Sequence, residues 1–146
     1  MQVRIVAVGK IRKGGLREVL DDYFSRIKRY VRFEEIELRD DRPSVLLERL
    51  KREFDPRTRV VAMEVQGRTM TSGDLADYLG GGEHAGVQRL TCLIGGAYGL
   101  PSVLSEQADL QLSLSRMTLP HRLARLVLAE QLYRAYTILR CEPYAH

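Results

Sequence analysis

The fold is decided by a stretch that contains two apolar segments, each followed by a polar loop. Its two informative parts are residues 93–100, LIGGAYGL, and residues 112–121, LSLSRMTLPH. In both, a short apolar run typical of a buried strand leads directly into a loop of small and polar residues. Ligands of open α/β sheets bind just beyond the carboxyl ends of the strands, so these two loops predict one shared site.

The rest of the chain alternates short apolar runs with amphipathic stripes. Strands are predicted at residues 3–8, 33–38, 59–65, 90–94 and 110–114. Helices are predicted at residues 16–30, from Pro43 onward, and at 71–79, 101–108 and 122–140, with Gly80-Gly81-Gly82 as a flexible turn. Strands separated by helices imply right-handed crossovers and a mostly parallel α/β sheet with helices on both faces. We expect one domain over residues 1–146, because no repeat, linker or low-complexity segment interrupts the pattern.

Composition excludes several classes of protein. The chain has 146 residues, of which 45% are hydrophobic and 29% charged, so it can bury a core of its own. Two cysteines are too few for a disulfide scaffold. No apolar run is long enough to span a membrane, and Met1 leads straight into a strand without a signal-peptide pattern. A cytoplasmic protein with reduced thiols is expected.

The charge is compatible with a nucleic-acid partner. Twenty-three basic side chains against 19 acidic ones give a net charge of +4. Lysine and arginine that neutralise phosphates supply much of the affinity for RNA or DNA. Because many basic proteins bind no nucleic acid, this excess leaves the partner open.

Local motifs exclude some chemistries and leave others open. The run from Gly95 to Gly99 lacks the spacing of a dinucleotide fingerprint or a P-loop, and it fits either a close approach to a ligand or a plain turn. The loop from Ser115 to His121 suits a cleft that grips an aromatic base, and an ordinary loop equally well. No metal-ligand motif or nucleophile elbow is present, and Cys141 has no evident activating group, so neither a metal site nor covalent catalysis is expected.

The last predicted helix is apolar on more than one face. One face packed in the core and another against a second subunit would explain this, as would a fully internal helix. Glu130, Arg134 and Thr137 form a narrow polar stripe along it. The short tail beyond this helix carries Tyr144 and His146, which can contribute to the site.

Three segments together resemble the RlmH family of SPOUT-class methyltransferases. They are residues 93–100, residues 114–121 and residues 128–136, LAEQLYRAY, and the strand patterns at 3–9 and 60–67 also fit. Enzymes of this family modify N3 of a pseudouridine in helix 69 of bacterial large-subunit rRNA. The resemblance implies S-adenosylmethionine as cofactor, a homodimer, ribosomal RNA in the ribosome as substrate, and a trefoil knot in the C-terminal half. General folding rules alone would argue against a knot.

Matching motif positions carry the family's functional residues onto this chain. The implied cofactor-binding residues are Met63, Gly95, Leu114, Ser115, Arg116, Met117, Thr118 and Leu119. The implied catalytic residues are Tyr144, His146 and Arg134. The family usually ends in Tyr-His followed by a basic residue, whereas this chain ends in Tyr144-Ala145-His146. That departure leaves the role of the tail histidine open.

Methyl transfer from a sulfonium needs neither a metal nor a covalent enzyme intermediate. The enzyme has to hold donor and acceptor in line and favour the deprotonated imide of the base, which cationic Arg116 or Arg134 would stabilise. Tyr144 or His146 would orient the base or accept its proton. Two alternatives remain, a non-catalytic RNA-binding module and a SPOUT methyltransferase acting on tRNA. The small size, without an added RNA-binding domain, favours a substrate presented by the assembled ribosome.

Overall fold

Strands and helices alternate along the whole chain in a computed structural model that describes residues 1–144. The strands are β1 (Gln2–Val8), β2 (Arg32–Leu38), β3 (Thr58–Thr69), β4 (Arg89–Ile94) and β5 (Leu110–Ser113). The helices are α1 (Gly15–Ile27), α2 (Pro43–Lys51), α3 (Ser72–His84), α4 (Ser102–Gln107) and α5 (His121–Leu139). The predicted order of elements is confirmed.

The five strands form one parallel sheet in the order β2-β1-β4-β3-β5. Helices cover both of its faces. On one face α1, α3 and α5 bury Leu20, Leu79 and Leu132, and on the other α2 and α4 bury Leu50 and Leu104. Each of these leucines contributes about 1.5–3 kcal/mol relative to an exposed side chain. The predicted α/β class, with a parallel sheet between two helical layers, is confirmed.

Helix α3 is longer than the sequence pattern predicts. Thr71 caps it, accepting from the backbone N–H of Asp74 over 3.0 Å, and the Asp74 carboxylate accepts from the N–H of Thr71 in return. The predicted turn at Gly80-Gly81-Gly82 is wrong, because these glycines lie inside the helix. A Cβ on Gly80 would lie 3.0 Å from Leu139 Cδ2. The glycine therefore serves close packing of α3 against α5, which periodicity along one helix does not reveal.

Strand β3 continues to Thr69, past the predicted end at Val65. Its register with β5 shifts between Met63 and Arg68, both of which pair with Leu112. Such a bulge leaves residues out of the ladder and re-aims their side chains. The close pairing of the two strands requires glycine at position 67. A Cβ there would lie 2.6 Å from the Gln111 carbonyl oxygen.

Helix α5 is buried on its sheet side and partly exposed on the other. Leu128, Leu132 and Tyr136 are fully buried, whereas Leu123 and Ile138 are exposed. The helix is therefore not fully internal. No helix among residues 1–144 is both long enough and apolar enough to cross a membrane.

Candidate active site

A cleft of about 350 Å³ opens at the carboxyl ends of β4 and β5, beside the bulge in the middle of β3. The loops that follow β4 and β5 both line it, as predicted. The lining residues are Met63, Glu64, Val65, Ile94, Gly95, Gly96, Ala97, Gly99, Leu112, Leu114, Ser115, Met117, Thr118, Leu119, Pro120, His121 and Ala124. Of the cofactor-binding residues implied by the resemblance, all but Arg116 line this cleft.

The loop after β4 is folded back tightly on itself. A Cβ on Gly95 would lie 2.5 Å from the carbonyl carbon of Gly99 and 2.6 Å from the nitrogen of Leu100. The backbone N–H of Gly99 donates to the Gly96 carbonyl over 3.0 Å, and Gly99 has a φ of +77°. Glycine is required at position 95 for close backbone approach and favoured at position 99 by dihedral angle. The tip residue, Tyr98, is 99% exposed.

The loop after β5 is shaped by two serines. The Ser113 hydroxyl donates to the Ser115 carbonyl over 2.9 Å, and the Ser115 hydroxyl accepts from the Met117 N–H over 3.0 Å. These bonds turn the loop across the mouth of the cleft. Met117 remains 79% exposed on the rim, and Arg116 is exposed and does not line the cleft.

The two lining residues with titratable side chains are not among the cofactor-binding residues implied by the resemblance. The first is Glu64, which the β3 bulge places on the cleft and which supplies a carboxylate there. The second is His121, the first residue of α5, whose Nε2 would lie 3.6 Å from a Cβ on Gly9. The sequence pattern did not predict that Glu64 lines the cleft. Its position depends on the β3 bulge, which forms only against a strand that is distant in the sequence. His121 is the last residue of the second motif, but the resemblance assigned it no role.

A buried ionic network supports the neighbouring wall of the cleft. Arg125 is 0% exposed, and its guanidinium contacts both Glu35 and Glu37 of β2 and donates to the Gly9 carbonyl over 3.0 Å. Arg17 binds the same two carboxylates, at 2.6 Å and 2.9 Å. Because two guanidinium groups face two carboxylates, the buried charge is compensated and the network joins α1, β2 and α5.

The tail packs on the polar stripe of α5. The Tyr144 hydroxyl donates to Glu130 over 3.3 Å, and Arg134 binds the same carboxylate oxygen at 2.6 Å. The Arg134 guanidinium lies 5.0 Å from the centre of the Tyr144 ring, whose edge meets Tyr133 at 4.6 Å between ring centres. Burial, followed by hydrogen bonding to Tyr23 and the charge of Glu130, raises the pKa of Tyr144 above its ordinary value. The phenol is therefore neutral at physiological pH and donates a hydrogen bond to Glu130.

This tail cluster does not reach the cleft of its own chain. At about 1.5 Å per residue, the distance along α5 from His121 to Glu130 is about 13 Å. Tyr144 and Arg134 lie together, as predicted for residues that act jointly, but neither lines the cleft. His146 lies outside the residues that the structure describes.

Comparison with known proteins decides the family. A family model described as a predicted SPOUT methyltransferase matches residues 1–146. The chain belongs to the SPOUT methyltransferase family. A relative from Sorangium cellulosum named ribosomal RNA large subunit methyltransferase H is 46% identical, with 100% of both chains covered. Relatives with the same name from Anaeromyxobacter (42% identical, 99% of each chain) and Citrifermentans bemidjiense (37% identical, 100% of this chain and 99% of the relative) agree.

The resemblance carried by the sequence motifs is thus confirmed, and the protein is a SPOUT methyltransferase with RlmH-type relatives. Among solved structures, the SpoU methyltransferase AviRb from Streptomyces viridochromogenes, in complex with the cofactor AdoMet, is 12% identical and has a TM-score of 0.46. That match covers 93% of this chain and 57% of the AviRb chain.

The described residues of this SPOUT methyltransferase offer little for metal or thiol chemistry. Within residues 1–144, no three His, Cys, Asp or Glu side chains are grouped to hold a metal ion. Burial raises the pKa of Cys92 to about 12, so its thiol stays protonated and unreactive. Cys141 is exposed at the end of α5, away from the cleft lining.

Proposed function

We propose that this protein transfers a methyl group from S-adenosylmethionine to N3 of a pseudouridine in helix 69 of large-subunit rRNA, on assembled ribosomes in the cytoplasm. The single observation that carries the proposal is the cleft in which both family motifs meet, at the carboxyl ends of β4 and β5 beside the β3 bulge. Full-length relatives named ribosomal RNA large subunit methyltransferase H support the choice of RNA. The unit that acts is one domain spanning residues 1–146.

The cleft fits S-adenosylmethionine in size and chemistry. Its volume of about 350 Å³ is in the range of small-molecule sites. Met63, Leu114 and Leu119 supply apolar walls for a flat adenine ring, while the backbone of Gly95 and Ser115 offers polar groups to its edge. Thr118 and Met117 complete the proposed donor site. When bound, S-adenosylmethionine supplies an electrophilic methyl group on a sulfonium.

Glu64 gives the cleft a charge that complements this donor. It is an acidic side chain among mostly apolar lining residues. A carboxylate attracts the ammonium group and the sulfonium of S-adenosylmethionine, and it can also accept hydrogen bonds from ribose hydroxyls. Arg116, outside the lining, is assigned instead to the RNA side of the site.

The residues of the tail cluster are proposed to orient the nucleobase and to stabilise its deprotonated form. Arg134 carries a permanent positive charge that stabilises the deprotonated imide at N3. Tyr144 is proposed to orient the base by exchanging its hydrogen bond to Glu130 for one to the base. His146 is proposed as the group that accepts the N3 proton, one position later than in the family.

Because neither Tyr144 nor Arg134 lines the cleft of its own chain, we propose a homodimer in which the cleft and the tail meet across the interface. The exposed stripe along α1 and α5 is suited to this contact. It carries the partly exposed apolar residues Val19, Tyr23, Leu123, Leu126 and Tyr133. The tail packs on Tyr133 of the same stripe, so a partner that covers the stripe also meets the tail.

The trefoil knot implied by the family is proposed for the C-terminal half. Its support is the match of the whole chain to the SPOUT methyltransferase family model.

A methyl-transfer assay tests the function. Protein and tritiated S-adenosylmethionine are mixed with intact ribosomes, isolated large subunits, free rRNA or tRNA, and label in RNA is counted. We expect transfer to intact ribosomes, with the product nucleoside identified by mass spectrometry as N3-methylated pseudouridine. Preferential labelling of tRNA would replace the proposed substrate, and binding of donor and RNA without any transfer would favour a non-catalytic module.

A further inference from the structure

We propose that the loop between β1 and α1, residues 9–14, is a binding surface for RNA phosphates at the rim of the cleft. The inference rests on the proposed function and names the residues that hold the RNA during methylation. The loop reads GKIRKG, and its cations Lys10, Arg12 and Lys13 are all exposed. None of the three takes part in a salt bridge among residues 1–144.

The loop is anchored at its centre. Ile11 is buried, its backbone N–H donates to Glu37 over 2.8 Å, and its carbonyl accepts from Arg17 Nε over 3.1 Å. Lys10 and Arg12, on either side of this anchor, remain exposed. Because the backbone is fixed before RNA arrives, less conformational entropy is lost on binding than in a loose basic loop.

The charged residues next to the loop compensate one another. The three cations of the loop therefore remain as uncompensated positive charge. Arg125 and Arg17 compensate the carboxylates of Glu35 and Glu37, so the buried network adds no net charge. The neighbouring loop after β2, residues 39–42, reads RDDR and is also balanced. The positive potential of this edge therefore comes from residues 10–13, together with exposed Arg116 and Arg122.

The position of the loop links it to the proposed chemistry. A Cβ on Gly9 would lie 3.6 Å from Nε2 of His121, and one on Gly96 would lie 3.1 Å from Cγ1 of Val8. His121 and Gly96 both line the cleft, so the basic loop begins at its wall. Cations placed there neutralise phosphates next to the reacting base. Such contacts fix the register of the RNA without reading its sequence.

The test compares two triple variants of the full chain in equilibrium binding to purified intact ribosomes. One is Lys10→Ala, Arg12→Ala, Lys13→Ala. The matched control is Lys51→Ala, Arg52→Ala, Arg57→Ala, which removes three exposed cations from the amino-end edge of the sheet. Affinity is measured from about 50 to 200 mM salt, a range over which phosphate binding weakens strongly. Circular dichroism and calorimetry with S-adenosylmethionine confirm that both variants fold and bind the donor.

We expect the loop variant to bind ribosomes about tenfold or more weakly, with a log–log salt slope shallower by about 0.9 for each phosphate that is no longer neutralised. The control variant should match the wild type. Wild-type affinity and slope in the loop variant, or an equal weakening in both variants, would overturn the inference. Since binding is measured without turnover, a wild-type protein that binds through this loop but transfers no methyl group would refute the proposed function alone.

Discussion

The hydroxyl of Tyr144 lies 3.3 Å from the carboxylate of Glu130, and this hydrogen bond holds the tail against the middle of α5. The cleft lies at the beginning of the same helix, where His121 and Ala124 line it. Tyr144 and the proposed donor site are therefore separate within one chain. In the proposed homodimer, a site that uses both draws on two chains.

The first prediction concerns the close approach at Gly95. Gly95→Ala introduces a methyl group that would lie 2.5 Å from the backbone of Gly99, so the loop must move and the cleft must change shape. We expect S-adenosylmethionine affinity, measured by calorimetry, to fall at least about tenfold, while circular dichroism stays that of a folded protein. Gly81→Ala is the control, since nothing lies within 4 Å of a Cβ there. Equal donor affinity in both variants would remove Gly95 from the cofactor site.

The second prediction concerns the buried Arg125. Arg125→Met leaves Glu35 and Glu37 with one guanidinium partner between them, and breaking such a buried pair costs about 3–5 kcal/mol. Arg26→Met is the control, because its pair with Asp22 is largely exposed and such pairs contribute little to stability. Urea unfolding at one protein concentration measures the free energy of unfolding of both variants. A loss of stability no larger for Arg125→Met than for Arg26→Met would show that the network is unimportant for the fold.

Sequence patterns predicted what depends on neighbours along the chain and missed what depends on distant contacts. The start of α3 next to Thr71 and the strand before Gly95 are local features, and both are where the pattern placed them. The end of α3 was missed because Gly80 is explained only by Leu139 of another helix.

The same distinction applies to the site. Both cleft loops could be predicted because each follows its own apolar strand. The presence of Glu64 in the cleft could not be predicted, because its position depends on a bulge in β3 where this strand pairs with β5. The burial of Arg125 could not be predicted, because its partners Glu35 and Glu37 belong to a strand from the first third of the chain.

The third prediction concerns the tail. A chain that ends after Glu142 lacks Tyr144 and its contacts with Glu130 and Tyr133, none of which lines the cleft. We expect S-adenosylmethionine affinity within about twofold of the wild type, while kcat on ribosomes falls by about 100-fold or more, the size expected when an acid–base or orienting group is removed. Tyr144→Phe should lose part of this activity. A truncated chain that methylates ribosomes at the wild-type rate would exclude the tail from catalysis.

The fourth prediction concerns the stripe along α1 and α5. Leu123 is 47% exposed on this stripe, and Leu123→Asp should produce monomers without methyltransferase activity, because a charge is costly in an apolar interface. Val103→Asp is the control, since Val103 is 46% exposed on α4, on the other face of the sheet. Light scattering at micromolar concentration measures the mass of both. An active wild-type monomer, or a Leu123→Asp dimer, would contradict the proposed interface.

The most direct test of the account mixes two chains, each with a defect in a different part of the proposed site. One carries Gly95→Ala in the cleft, and the other ends after Glu142. If cleft and tail meet across the dimer, each mixed dimer has one complete site, and purified mixed dimers should methylate intact ribosomes at about half the wild-type rate per dimer. If each chain uses its own tail, mixed dimers contain no complete site. Activity no higher than that of the two parent homodimers would contradict the account.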